Sequence, residues 1–116
     1  MHKERTILIL DDDEDIRELL TTALTRKSYK VIADEDMDGH LDTNKPDVIL
    51  LDVLLSGKNG MEICTSLKQD PLTQNIPVIM FSALTNVREH CLQAGADKFI
   101  TKPFRINTLI ETIEEC

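Results

Sequence analysis

Cysteine is scarce and poorly placed for chemistry. Cys64, Cys91 and Cys116 are the only three, an odd number with no C-x-x-C spacing, which argues against a disulfide framework and a thiolate zinc site. Cys64 and Cys91 fall in apolar, helically spaced patterns and are expected as small core residues; Cys116, at the terminus, is expected at the surface. Long hydrophobic runs are also missing. No stretch approaches the ~20 residues a membrane helix needs, so no membrane contact is expected. Met1-His2-Lys3-Glu4-Arg5 leads into only Ile7-Leu8-Ile9-Leu10 before acids begin, too short for a secretory signal. A cytoplasmic location is the expectation. Excess basic charge is absent as well: the formal net charge is -8, which removes the footprint for direct nucleic-acid binding. There is no repeat, no low-complexity stretch and no break long enough for a linker. The 116 residues are expected to form one domain, 1–116, around one core.

What is present is a set of short, continuous apolar runs. Ile7-Leu8-Ile9-Leu10, Val48-Ile49-Leu50-Leu51 and Val78-Ile79-Met80-Phe81 lack the alternation of a half-exposed strand and suggest strands buried on both faces. Tyr29-Lys30-Val31-Ile32-Ala33 and Lys98-Phe99-Ile100-Thr101 complete five strands. Between them, Ile16, Leu19, Leu20, Ala23 and Leu24 recur at helical spacing, as do Met61, Ile63, Cys64 and Leu67. Val87, Cys91 and Leu92 mark a further helix ended by Gly95, and Ile106, Leu109, Ile110 and Ile113 a last one. The stretch from Asp34 to Asn44, with Gly39 among acids, supports at most a short, poor helix. Ser56-Gly57-Lys58-Asn59-Gly60 reads as a loop. Alternating strands and helices imply an α/β fold: a parallel sheet joined by right-handed crossovers, with about five helices on its two faces.

In such sheets ligands bind beyond the carboxyl ends of the strands. The first strand ends in Asp11-Asp12, the third in Asp52, the fourth in Ser82, and Lys102 follows the fifth. Clustered carboxylates repel one another, and a hard divalent cation such as Mg2+ relieves that cost while bridging to phosphate. A lysine and a hydroxyl on the same edge suit phosphate oxygens. The set reads as a phosphoryl-transfer site with one aspartate as nucleophile. Each residue has a plainer use: Asp13, Glu14 and Asp15 as helix-start acids, Ser82 as a helix N-cap, Lys102 as a surface lysine. Coincidence of all at four strand ends favours the functional reading.

These residues carry a resemblance over the whole chain. Ile7-Leu8-Ile9-Leu10-Asp11-Asp12-Asp13, Pro46-Asp47-Val48-Ile49-Leu50-Leu51-Asp52-Val53, Gly60-Met61-Glu62, Val78-Ile79-Met80-Phe81-Ser82-Ala83, Ala94-Gly95-Ala96-Asp97 and Lys102-Pro103-Phe104 resemble the receiver domain of two-component response regulators. The resemblance implies a flavodoxin-like sheet of order 2-1-3-4-5, an order that comes with the family and not from the spacing. It further implies Asp52 as phospho-acceptor, and Mg2+ held by Asp11, Asp12, Asp52 and the backbone carbonyl of Leu54. Lys102 becomes the site lysine, Ser82 the switch hydroxyl and Phe99 the switch aromatic. Implied partners are a histidine kinase or phosphotransfer protein for input. Output falls to another protein, a fused domain or a phosphorylation-dependent dimer, through the surface of the Val87–Leu92 helix, the fifth strand and the last helix. Gly60 is expected as a turn glycine and Pro103 as a cis proline.

Departures qualify the match. Ser56 stands where the family usually has proline. The segments from Asp12 to Asp52 and from Ser82 to Gly95 are a few residues short. Leu54 and Leu84, both apolar, flank the site and leave few polar groups to position an attacking water, so slow loss of the phosphoryl group is expected. No output domain follows the last helix, as in a stand-alone receiver or an excised one. Two other readings stand beside this: a haloacid-dehalogenase-type phosphatase, suggested by Asp11-x-Asp13, Ser82 and Lys102, and a pseudo-receiver that only binds partners. Against the phosphatase, the late metal-binding acidic pair it needs is missing after Lys102, and the chain is short.

Overall fold

The computed structural model describes residues 5–34, 45–55, 57–84 and 86–116. Its main sheet contains β1 (Thr6–Leu10), β2 (Lys30–Asp34), β3 (Val48–Asp52), β6 (Val78–Ser82) and β7 (Lys98–Thr101). They pair in parallel in the order β2-β1-β3-β6-β7, which is the expected 2-1-3-4-5. Between them lie α1 (Glu14–Arg26), α2 (Gly60–Gln69), α3 (Arg88–Gln93) and α4 (Ile106–Glu114). These are the four helices of the described residues. The weak helix expected after Asp34 falls on residues 35–44, and Ser56 also lies outside the described set.

The two faces of the sheet bury separate apolar layers. Ile7, Ile9, Val48, Leu50, Ile79, Phe81 and Ile100 pack with Leu20 and Leu24 of α1 and with Leu109, Ile110 and Ile113 of α4. Leu8, Leu10, Ile49, Leu51, Val78 and Met80 pack with Cys64 and Leu67 of α2 and Cys91 of α3. Strand side chains alternate between faces, so a strand covered on both sides needs apolar residues at every position. That is why these runs are continuous. Cys64 and Cys91 are fully buried as expected. Cys116 is not the surface residue expected: it is half-buried and rests against the α1–α4 layer.

Local chemistry sets the ends of the elements. Asp13 caps α1, its carboxylate accepting the N–H groups of Asp15 at 2.9 Å and Ile16 at 3.3 Å, with Glu14 and Asp15 in the first turn. Ser28 has φ of 70°, and the N–H of Tyr29 donates back to the Leu24 carbonyl at 3.2 Å. Tyr29 therefore belongs to the helix end, and β2 starts one residue later than its apolar pattern suggests. Gly95 takes φ of 109° just past α3, the conformation a helix-terminating glycine supplies cheaply. The expected loop at residues 56–60 is a correction. Leu54–Leu55 (β4) and Lys58–Asn59 (β5) form a short antiparallel pair, and Asn59 caps α2. Two-residue strands are too short to leave a periodic signature.

Candidate functional site

The site forms where β1 and β3 leave the core. Ile9 pairs with Leu50 and Leu10 with Leu51 in parallel register. Continuing that register sets Asp11 beside Asp52, each two residues beyond a side chain on the α1–α4 face. Lys102 stands two residues beyond Ile100 on β7 and reaches the same face. Its ammonium donates to Asp11 Oδ2 and Asp52 Oδ2, both at 3.1 Å. Asp11 is fully buried, Asp52 nearly so, and the lysine side chain is 16% exposed, so this is no solvated surface lysine. A ligand oxygen from each of Asp11, Asp12 and Asp52 lies within 4.8 Å of the others. Three hard oxygen donors at that separation suit a hard divalent cation rather than a soft one.

Burial pushes the Asp52 carboxyl above its ordinary value. The Lys102 hydrogen bond pulls it back, the neighbouring Asp11 charge raises it further, and the Leu54 N–H, donating to Oδ1 at 3.3 Å, lowers it slightly. Burial alone would lower the Lys102 pKa; the hydrogen bond to Asp52 and the charges of Asp52 and Asp11 outweigh it, and the net shift is upward. The pair is thus held together by charge in a place that otherwise disfavours charge.

Asp12 joins this cluster from the exposed connection into α1. Not every other predicted residue does. Leu54 reaches Asp52 through its N–H, and its side chain is 58% exposed; Leu84 is 42% exposed. Ser82 is buried, and its Oγ accepts the Leu84 N–H at 3.0 Å, closing a local turn. It does not cap α3, which starts after Val87. Phe99 pairs with Met80 and packs into the α2–α3 layer, on the opposite face from Lys102. Alternation along β6 directs Ser82 with Met80 to that face too.

Further contributors went unread in the sequence or were read in another role. Phe81 presents its ring 4.8 Å from the Lys102 ammonium, a cation–π contact, and Phe104 meets Phe81 edge-on with centroids 6.1 Å apart. Its signal was available, since Phe81 shares the parity of Ile79. Gly60 is not a turn glycine: it opens α2, donates its N–H to the Val53 carbonyl at 2.7 Å, and backs onto Asp52, where a Cβ would fall on the carbonyl oxygen. Arg17 on α1 donates to the backbone carbonyl of Asp11 at 2.7 Å; no pattern of residue types announces such a bond. The Lys102–Pro103 peptide is cis, as expected.

A doubly covered 2-1-3-4-5 sheet with three carboxylates and a lysine at its carboxyl edge defines a class of phosphorylation-controlled signalling domains. Residues 7–114 match the family model described as the response regulator receiver domain, and the chain belongs to that family. Over 115 residues it is 39% identical to the phosphate regulon transcriptional regulatory protein PhoB of Pseudomonas aeruginosa, covering 95% of this chain and 50% of that protein. The chain thus spans about half the length of that curated relative. A putative response regulator from Chloroflexus aurantiacus superimposes with a TM-score of 0.90 at 30% identity, covering 97% of each chain. A beryllofluoride-activated DrrB receiver domain gives 0.86 at 27% identity, again covering 97% of each. The protein is therefore a receiver with an acidic pocket of Asp11, Asp12 and Asp52, a phospho-accepting signalling domain and not a conventional enzyme such as the phosphatase considered above. The acidic triad is consistent with the metal site typical of receivers. Receiver domains interact with histidine kinases. No helix among the described residues is long and apolar enough to cross a membrane.

Proposed function

We propose that Asp52 is the phospho-acceptor, receiving its phosphoryl group from a histidine kinase or phosphotransfer protein in the cytoplasm. The observation that carries this is the shared lysine: Lys102 Nζ lies 3.1 Å from Asp52 Oδ2 and from Asp11 Oδ2. An Asp52 carboxylate oxygen attacks phosphorus as the P–N bond to the donor imidazole breaks, and the imidazole leaves. Asp11, Asp12, Asp52 and the Leu54 carbonyl would hold Mg2+, which would supply positive charge against the transferred group. Lys102 keeps its contact with Asp11 and offers its remaining donors to a phosphoryl oxygen. The Ser82 hydroxyl, buried at the end of β6, turns toward the phosphoryl group, and Phe99, on the same face of the sheet as Ser82, responds to it. The altered face, α3, β7 and α4, then changes its affinity for an output protein, a fused domain or a second copy. Residues 1–116 act as one unit in this scheme.

The test is exposure of the chain to Mg2+ with acetyl phosphate or beryllofluoride, compared with Asp52→Asn. One phosphoryl group per wild-type chain, and none on the variant, is the expected result. Equal responses remove Asp52 from the mechanism. A wild-type chain that takes up neither reagent favours the partner-binding pseudo-receiver.

A further inference from the structure

Arg17 differs from the other groups around the triad because it engages backbone. It lies on the first turn of α1, half-buried, and its Nη1 donates to the Asp11 carbonyl at 2.7 Å. A charged donor at that distance makes a strong bond. The carbonyl belongs to the planar peptide joining Asp11 to Asp12. Holding its oxygen fixes ψ of Asp11 and φ of Asp12 together, and those dihedrals set the angle between two side chains of the triad. Asp11 is committed at its other polar atoms as well. Its N–H donates to the Asp34 carbonyl at 3.1 Å, Oδ1 accepts the Asp13 N–H at 2.9 Å, and Oδ2 accepts Lys102. Asp12 is exposed, and the bond from Arg17 acts on the peptide that carries it.

We propose that Arg17 is a positioning residue for cation binding, holding the Asp11–Asp12 peptide so that both carboxylates face the ion. This rests on the Mg2+ reading given above. Charge and geometry predict opposite signs. A guanidinium near three carboxylates opposes a second cation, so if charge were its whole effect its removal would tighten binding. If it orients the ligands, removal weakens binding, by about 10–100-fold for groups of this kind.

Calorimetric titration of the full chain with Mg2+ reads that sign, with melting in chelator measured alongside. Arg17→Met keeps the aliphatic stem and loses the donors; Arg17→Lys keeps a donor and the charge. The expected result is an Mg2+ dissociation constant raised about tenfold in Arg17→Met and largely restored in Arg17→Lys. Unchanged or tighter binding by a folded Arg17→Met chain overturns the inference while leaving the metal site intact. Should that variant not fold, Arg17→Gln is read by the same two outcomes. A wild-type chain that takes up no Mg2+ overturns the metal reading and this inference with it.

Discussion

Gly60 and Asp52 are in backbone contact: the α-carbon that opens α2 leaves no room for a side chain against the Asp52 carbonyl. The neighbouring atoms, Asp52 C and Val53 Cα, would each lie 3.0 Å from an added Cβ. All three are main chain and cannot swing aside. Gly60→Ala is therefore expected to cost about 1–3 kcal/mol in urea unfolding, the range for an overpacked site. It is also expected to lower phosphorylation by acetyl phosphate, because relief of the clash moves the residue that carries the nucleophile. Wild-type stability and phosphorylation in the alanine variant would contradict the contact.

The Asp52 carboxyl is raised above its ordinary value, chiefly by burial, so the folded chain holds that proton more tightly than the unfolded one. Its ionisation then lowers stability as pH rises through the carboxylate range. In chelator at pH 7, Asp52→Asn is expected to melt higher than wild type. The gap should close toward acid pH. Added Mg2+ should raise the wild-type melting point and leave the variant nearly unmoved.

Leu54 and Leu84, the two positions that the receiver resemblance sets beside the acidic pocket, expose large apolar side chains. Neither offers a group to orient water for attack on an acyl phosphate. A phosphoryl lifetime of minutes or longer in the purified chain is the expected outcome, and one of seconds would count against it. Leu54→Asn combined with Leu84→Glu is expected to speed phosphate release on the order of tenfold, below the ~10²–10⁴ of a fully placed general base.

Burial drives the Cys64 thiol up to about 11. In the unfolded chain it ionises near ~8.5. Between these values the unfolded state binds fewer protons than the folded one, so stability falls as pH rises from about 9 to 11. Denaturant unfolding across that window should lose roughly 2–3 kcal/mol through this residue. Cys64→Ala should flatten the slope, and an unchanged slope would place the effect elsewhere.

The parts of this molecule written in residue type were readable in advance. Ile7-Leu8-Ile9-Leu10 and Val48-Ile49-Leu50-Leu51 announce a doubly covered sheet because burial on both faces tolerates no polar break. Asp11, Asp12, Asp52 and Lys102 were placed by strand ends alone, and the structure brings them together. Interactions of a side chain with main chain were not readable. Arg17 on the Asp11 carbonyl, Gly60 against Asp52 and Asp47 accepting the Thr6 N–H at 2.7 Å leave no periodic trace. The Lys68–Asp97 pair was hidden for another reason. Its members are 29 residues apart, and Lys68 also tethers the Ile76 carbonyl at 2.9 Å while Asp97 accepts the Val78 N–H at 2.8 Å. Surface charges at that separation look independent until the crossover is built.

The sheet is one residue thick, and that thinness governs how its two layers communicate. Phe81 and Lys102 stand on one side; Met80, directly before Phe81, and Phe99, three residues before Lys102, stand on the other. Nothing chemical needs to cross: a small rotation of one strand about its own axis is felt on both sides at once, with opposite sign. The same arrangement makes strand length unforgiving. Deleting one residue from β6 would exchange the occupants of the two layers, putting a phenylalanine where the hydroxyl belongs and carrying Phe81 away from the lysine it supports.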